Sequence, residues 1–252
     1  MFLNKSITYI KSLVPHSLKK RIRLLALSGE EVHCPICKGN YLTFLPYGLQ
    51  KRPNALCPNC GSLERHRLIW LYLNRKQLLS NRMRMLHVAP ETMLFTKFRN
   101  NANIGYYPID KSPKHYPSGT KQMDLTGLKY EDDYFDSILC SHVLEHIPDD
   151  RLAMRELFRV LKPGGWAILQ VPVDTEREKT FEDWSITTPE ERQKAFGQWD
   201  HVRVYGRDYQ DKLREAGFTV MVDAFSMEFS WNERFRYGLA EEDIFFCKKS
   251  NS

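Results

Sequence analysis

Met85-Leu86-His87-Val88-Ala89-Pro90-Glu91-Thr92 opens the stretch whose reading decides the fold. Ile109-Asp110, Met123-Asp124-Leu125, Tyr134-Phe135-Asp136-Ser137-Ile138-Leu139-Cys140-Ser141-His142-Val143-Leu144-Glu145-His146-Ile147 and Leu161-Lys162-Pro163-Gly164-Gly165 continue it. Apolar runs of strand length, at 83–89, 103–109, 122–125, 135–140 and 166–171, alternate with helical patterns at 92–99 and 150–161. That alternation predicts an α/β fold with a parallel sheet and crossover helices. A further helix at 209–216, closed by Gly217, and two last strands at 218–222 and 244–247 complete it. In such a sheet ligands sit at the carboxyl ends of the strands, so the residue after each apolar run is a candidate.

Outward from this core, the bulk numbers set bounds. The chain has 252 residues, 42% hydrophobic and 27% charged, which suits one α/β domain plus a small accessory module. The net charge of +6 is a mild excess of Lys and Arg and does not by itself indicate a nucleic-acid binder. No apolar run approaches the roughly 20 residues of a transmembrane helix. Lys5 and Lys11 interrupt the apolar start, which argues against a secretory signal and for a cytoplasmic chain.

Four segments are expected: 1–31, a basic amphipathic helical segment; 32–62, a four-cysteine zinc ribbon; 63–82, a linking helix; and 83–252, the α/β domain. In the first, Leu18, Ile22 and Leu25 form a helical stripe beside Lys19, Lys20 and Arg23, with Ser17 as cap and Gly29 as stop. Such a helix either packs on its own protein or makes a peripheral contact with an anionic membrane. In the second, Cys34-Pro35-Ile36-Cys37-Lys38-Gly39 is echoed by Cys57-Pro58-Asn59-Cys60-Gly61. Two thiolates on a tight turn grip one edge of a metal site, and two such turns complete a tetrahedron around Zn²⁺. Two disulfides are the alternative, disfavoured in a cytosolic chain. A closed four-cysteine site has no open position, so its role is structural. Arg65, His66 and Arg67 follow it, either touching phosphate or forming a helix surface. Cys140 and Cys247 sit in apolar strands and read as core.

On these residues, with Ala216-Gly217-Phe218, the chain from Met85 to about Cys247 resembles the class I S-adenosylmethionine-dependent methyltransferases, especially the broad methyltransferase type 11 group. The resemblance implies a Rossmann-like seven-stranded sheet, order 3-2-1-4-5-7-6, with the last strand antiparallel. It implies that Asp110 accepts from the ribose hydroxyls, about 20 residues past the first loop as that geometry needs. It also implies that Asp124 accepts from the adenine amino group, that Leu125 packs on the ring, and that Ser141 and His142 face the methionine and sulfonium end. One departure stands out. The family carries an acid and a Gly-rich loop where this chain has His87, Ala89 and Glu91. Either Glu91 supplies the missing carboxylate and binds the cofactor's amino group, or the site has decayed.

A long insertion, 174–207, carries Trp184, Phe196, Trp199, His201, Arg203 and Tyr205. In related enzymes this region covers the substrate, and its aromatic and polar mixture suits a polar organic acceptor. His201 or His146, then Tyr205, are candidates for a base, and Arg203 for holding an anion. Positioning alone can drive an in-line methyl transfer, so no catalytic residue is assigned. The expected function is methyl transfer to a small polar metabolite or glycan precursor, with the ribbon helping to frame the acceptor site. Two rivals remain: a zinc-ribbon RNA methyltransferase, and a non-catalytic scaffold on a decayed methyltransferase fold.

Overall fold

The computed structural model describes residues 15–251, so the reading of Lys5 and Lys11 lies outside the described residues. The first described elements are α1 (His16–Ala26), β1 (Ser28–His33), β2 (Asn40–Tyr41), β3 (Leu45–Tyr47), β4 (Arg52–Leu56) and α2 (Glu64–Arg75). Then come β5 (Met83–Val88), α3 (Thr92–Arg99), β6 (Ile104–Asp110), β7 (Lys121–Gln122), β8 (Phe135–Ser141), α4 (Asp150–Val160) and β9 (Leu161–Gln170). The chain ends with β10 (Phe181–Glu182), α5 (Pro189–Phe196), β11 (Arg203–Val204), α6 (Tyr209–Glu215), β12 (Thr219–Asp223), α7 (Trp231–Tyr237) and β13 (Ile244–Lys248).

The chain divides into two compact units. Among the described residues, one holds 15–76 and 225–242; the other holds 77–224 and 243–251. The segment between β12 and β13, with α7, thus belongs with the N-terminal residues rather than with the sheet that flanks it.

In the larger unit the sheet runs β7-β6-β5-β8-β9-β13-β12. Renumbered along this sheet alone, that is the expected 3-2-1-4-5-7-6. The first five strands are parallel, and β13 is antiparallel to both β9 and β12. The central strands are buried on both faces, which is why their sequences are continuous apolar runs rather than alternating ones. α4 shows the opposite pattern: Ala153, Met154, Leu157 and Val160 are buried and its arginines face outward. Asp149 caps it, its carboxylate accepting from the Leu152 amide at 2.9 Å. Truncating Leu157 to Ala removes a fully buried side chain at a cost of about 2–5 kcal/mol.

The fifth strand starts earlier than its apolar run. Lys162-Pro163-Gly164-Gly165 lies inside β9, where the pairing with β8 shifts register between Phe135 and Ser137. Gly164 takes φ +76°, and a Cβ on Gly165 would meet the Lys162 carbonyl at 2.8 Å. The glycines therefore form a bulge, not a connecting turn. Cys140 and Cys247 are fully buried, as their contexts predict.

In the smaller unit, β3 and β4 form an antiparallel hairpin between the cysteine pairs. α1 differs from expectation at both ends. Pro15 precedes it with no side-chain cap, Leu27 ends it, and Gly29 lies in β1, where a Cβ would meet the Leu42 side chain at 2.4 Å. Its stripe is open rather than packed: Leu18, Ile22 and Leu25 are 46%, 56% and 78% exposed.

Candidate functional site

The smaller unit brings four sulfurs together. Cys34 Sγ lies 3.6 Å from Cys60 Sγ and Cys37 Sγ 3.7 Å from Cys57 Sγ, and all four lie within 4.8 Å of one another. Sulfurs held tetrahedrally at about 2.3 Å from one zinc ion stand about 3.8 Å apart, so the donor set fits the metal. The two knuckles share one backbone plan. Cys34 N donates to Gly39 O and Lys38 N to Cys34 O; Cys57 N donates to Ser62 O and Gly61 N to Cys57 O. Lys38 and Gly61 occupy the left-handed position at φ +63° and +73°. In the first knuckle it is thus Lys38, not Gly39, that makes the turn. Gly39 is required for another reason: its Cβ would meet the Tyr41 hydroxyl at 2.0 Å.

Crowding divides the thiols. Contacts with Cys34 and Cys57 pull the Cys37 thiol below its usual range, whereas contacts with Cys34 and Cys37 push Cys57 and Cys60 up. Without a cation the four cannot all be thiolates; a divalent metal removes that conflict.

Arg67 is neither a phosphate contact nor surface charge. It is fully buried and donates to the carbonyls of Ser62, Ala55, Tyr237 and Gly238, with its guanidinium 4.2 Å from the Phe44 ring centroid. His66 is buried too, and its Nδ1 accepts from the Leu63 amide at the start of α2. Two of the three residues that pointed to RNA are therefore taken by the fold. Gly238 sits against them at φ +57°, where a Cβ would meet Phe44 at 2.6 Å and Arg67 Nη2 at 2.8 Å.

In the larger unit the sequence candidates gather at the carboxyl ends of β5, β6, β7 and β8. His87, in the family's acidic position, is fully buried in β5. Its Nδ1 is 2.8 Å from the Tyr106 hydroxyl and its Nε2 is 3.1 Å from Glu91 Oε2. The Glu91 carboxylate thus lies beside the imidazole that stands in the acidic position. Ala89 makes the turn at φ +52°, a conformation that glycine adopts without strain and that the small alanine side chain tolerates at a cost of about 1–2 kcal/mol. Asp110 ends β6, accepting from the Ser112 amide at 2.6 Å.

Tyr116, absent from the sequence reading, leans on Asp110; burial first, then that carboxylate, pushes its phenol up to about 12. Asp124 accepts from the Thr126 amide and hydroxyl at 3.0 and 2.8 Å, and Lys111 Nζ lies 3.0 Å away. The Thr126 amide, then Lys111, hold its carboxyl at about 2. Leu125 is only 4% exposed and packs in the core.

After β8 the backbone turns sharply. His142 takes φ +55°, and the Ser141 hydroxyl is buried with no hydrogen-bond partner. The short 3₁₀ turn Leu144–His146 follows. Glu145 in it is 1% exposed, and neither carboxylate oxygen makes a hydrogen bond. His142 Nδ1 is 3.4 Å from Oε1; it and His146 keep the acid ionised against the penalty of burial. From the insertion, His201 meets His146 edge-on, ring centroids 4.7 Å apart.

The other insertion candidates are structural. Arg203 is 1% exposed, donating to the carbonyls of Leu144, Ile147 and Pro148 and to Glu182 at 2.7 Å. Tyr205 is fully buried and donates to Asp150 Oδ2 at 2.6 Å. Arg203 is therefore not available to an anionic acceptor, nor Tyr205 as a base. Phe196 packs on Phe181, while Trp184 and Trp199 are 57% and 58% exposed.

The sheet order and the strand-end groups define the domain as a methyltransferase of the class I type, whose cofactor is S-adenosylmethionine. The chain belongs to the methyltransferase domain family: residues 83–222, more than half of its length, match the family model. It is 48% identical over 69 residues to the ubiquinone/menaquinone biosynthesis C-methyltransferase UbiE of Vibrio campbellii, covering 27% of this chain and 22% of the relative. It matches the Vibrio vulnificus protein of that name at 37% over 68 residues, covering 26% of each. The chain thus spans about a quarter of the length of these curated relatives.

Among solved structures, the [4+2]-cyclase SpnF superposes with a TM-score of 0.52 at 19% identity, covering 76% of this chain and 84% of that one. A SAM-dependent methyltransferase from Archaeoglobus fulgidus superposes with a TM-score of 0.50 at 14% identity, covering 72% and 93%. These likenesses concern the fold alone, and a cyclase among them shows that the fold does not dictate the reaction. Among the described residues, no helix is long and apolar enough to cross a membrane.

Proposed function

We propose that this chain is an S-adenosylmethionine-dependent methyltransferase acting on a small polar acceptor, a metabolite or glycan precursor. The observation that carries this reading is the row of groups at the strand ends: Glu91 after β5, Asp110 at β6, Asp124 after β7 and Ser141 at β8. The residues fit the cofactor, because the Ser141 hydroxyl is buried without a partner and the Ala89 turn keeps only a methyl group in the floor.

In this reading the Glu91 carboxylate, braced by His87, takes the amino group; Asp110 takes the ribose; and Asp124 takes the adenine amino group. The bound cofactor supplies an electrophilic methyl group on a sulfonium. His146 and His201 face the acceptor. Burial lowers the proton affinity of His201.

Calorimetric titration with S-adenosylhomocysteine tests the reading. Micromolar binding that weakens in Glu91→Gln and Asp110→Ala supports it. A labelled-methyl screen of hydroxylated and carboxylated metabolites, sugar nucleotides and RNA then identifies the acceptor. A folded protein that does not bind at millimolar concentration belongs to the scaffold reading instead.

A further inference from the structure

We propose that Glu145, His146 and His201 form a second metal site, for one divalent first-row transition ion, with a coordination position open to an oxygen of the methyl acceptor. The claim that the ion binds stands on its own; the role toward the acceptor rests on the methyltransferase reading above.

One ligand atom from each of the three residues lies within 4.8 Å of the others. Nitrogen and oxygen ligands at about 2.0–2.2 Å from one ion stand about 3–4 Å apart, so the set needs only a small contraction. Two imidazoles with one carboxylate select zinc, iron, cobalt or nickel over magnesium or calcium. Glu145 gives the strongest reason to expect a cation. A carboxylate almost wholly out of water, with no hydrogen bond to either oxygen and only the His142 imidazole 3.4 Å from Oε1, is costly unless a full positive charge faces it.

The imidazoles are oriented in the manner of metal ligands. His201 Nδ1 is 3.3 Å from the Phe196 carbonyl, and His146 Nδ1 is 3.3 Å from the Asp200 carbonyl and 3.4 Å from its carboxylate. Both contacts favour the proton on Nδ1 and leave the lone pair on Nε2. The two halves of the site are also tied together. Val202 N donates to Glu145 O at 3.0 Å, and Arg203 holds three carbonyls of the same turn.

The site differs in kind from the cysteine cluster. Three ligands leave at least one position open, and it lies in the turn after β8, beside Ser141 and His142. An acceptor hydroxyl seated there is more acidic than in water. It gives up its proton, its oxygen forms the bond to the methyl carbon as the carbon–sulfur bond breaks, and one proton is released per turnover. The acceptor class this implies is a hydroxyl oxygen nucleophile: an alcohol or enol.

The test uses the full chain with zinc in the cysteine cluster and Co²⁺ as the probe. One Co²⁺ per chain should bind beyond the zinc, with a weak visible band and no thiolate charge-transfer band. Glu145→Gln, His146→Ala and His201→Ala should each weaken it by roughly 10–100-fold, while Asp200→Ala weakens it less. His115→Ala, at an exposed histidine, should leave it unchanged. Retained zinc and an unaltered circular dichroism spectrum establish that each variant folds. The proposal is overturned if no Co²⁺ binds beyond the zinc, if it enters only with a thiolate band, or if the three variants bind it as the parent does. Co²⁺ bound by a protein that ignores S-adenosylhomocysteine keeps the metal site and removes its role in methyl transfer.

Discussion

The cysteine cluster of the smaller unit and the carboxylate–imidazole cluster of the larger one are built in opposite ways. The first takes all its ligands from residues 34–60, on two turns with the same hydrogen bonds, and closes the metal's coordination. The second takes two adjacent residues from a turn after β8 and a third from an insertion 55 positions beyond His146 (201 − 146). It leaves room for something else. A closed set holds its own loops in place, because they are too short to bury a core of their own. An open set contributes little to folding and acts on whatever arrives. Damage to the first should therefore register in stability, and damage to the second in binding and chemistry.

The largest test of that contrast is removal of the structural metal. Cys57→Ser or a strong chelator should cost on the order of 10 kcal/mol in the smaller unit. Amide exchange should rise across β1 to α2 while β5, β8 and β9 stay protected. Loss of protection in both units alike would break the contrast.

Arg67→Met comes next, at about 3–5 kcal/mol, since it strands four carbonyls that now accept from one buried cation. Urea unfolding would show it, with unchanged affinity for S-adenosylhomocysteine. Gly238→Ala should cost about 2 kcal/mol, from its left-handed backbone and the close approach of Phe44.

On the other side of the contrast, Asp110→Ala should weaken S-adenosylhomocysteine binding about tenfold or more, roughly 1.4 kcal/mol, with little change in melting temperature. A large loss of stability there would blur the distinction between the units.

The smallest effect belongs to Asp124. The Thr126 amide and Lys111 hold its folded pKa at about 2, below its ordinary value of 3.8. Its contribution to stability is therefore complete above the ordinary value and is lost as pH falls from 3.8 toward 2. Because the group is exposed, the gain is screened and small. Asp124→Asn should lose that small contribution at neutral pH and make the acid-unfolding curve slightly flatter between 3.8 and 2.

Much of this was legible in the residues, for a reason that differs by region. The strands of the larger unit are continuous apolar runs because both faces are covered, and no other element of that length carries such a pattern. The repeated Cys-Pro-x-Cys pairs are legible because zinc ligation by a knuckle is local. Arg67 was not legible: beside a cysteine pair and next to two other basic groups it looks like surface charge. Only the carbonyls of Tyr237 and Gly238, some 170 residues on, make it a core residue. Arg203 misled for the same reason. Tyr116 carried no sequence signal; it matters because the chain folds back beside Asp110.

By itself, the sequence determined the alternation of strands and helices and the four sulfur ligands, which follow from short-range periodicity and spacing; the strand order came only from the resemblance. Only the tertiary structure decided that residues 225–242 belong with the N-terminal unit. It alone decided that the Glu91 carboxylate meets the His87 ring, and that Glu145, His146 and His201 share one place. Those outcomes depend on which side chains meet across long stretches of chain. Burial and the need to satisfy buried charge select those meetings, and neither is written in any local pattern.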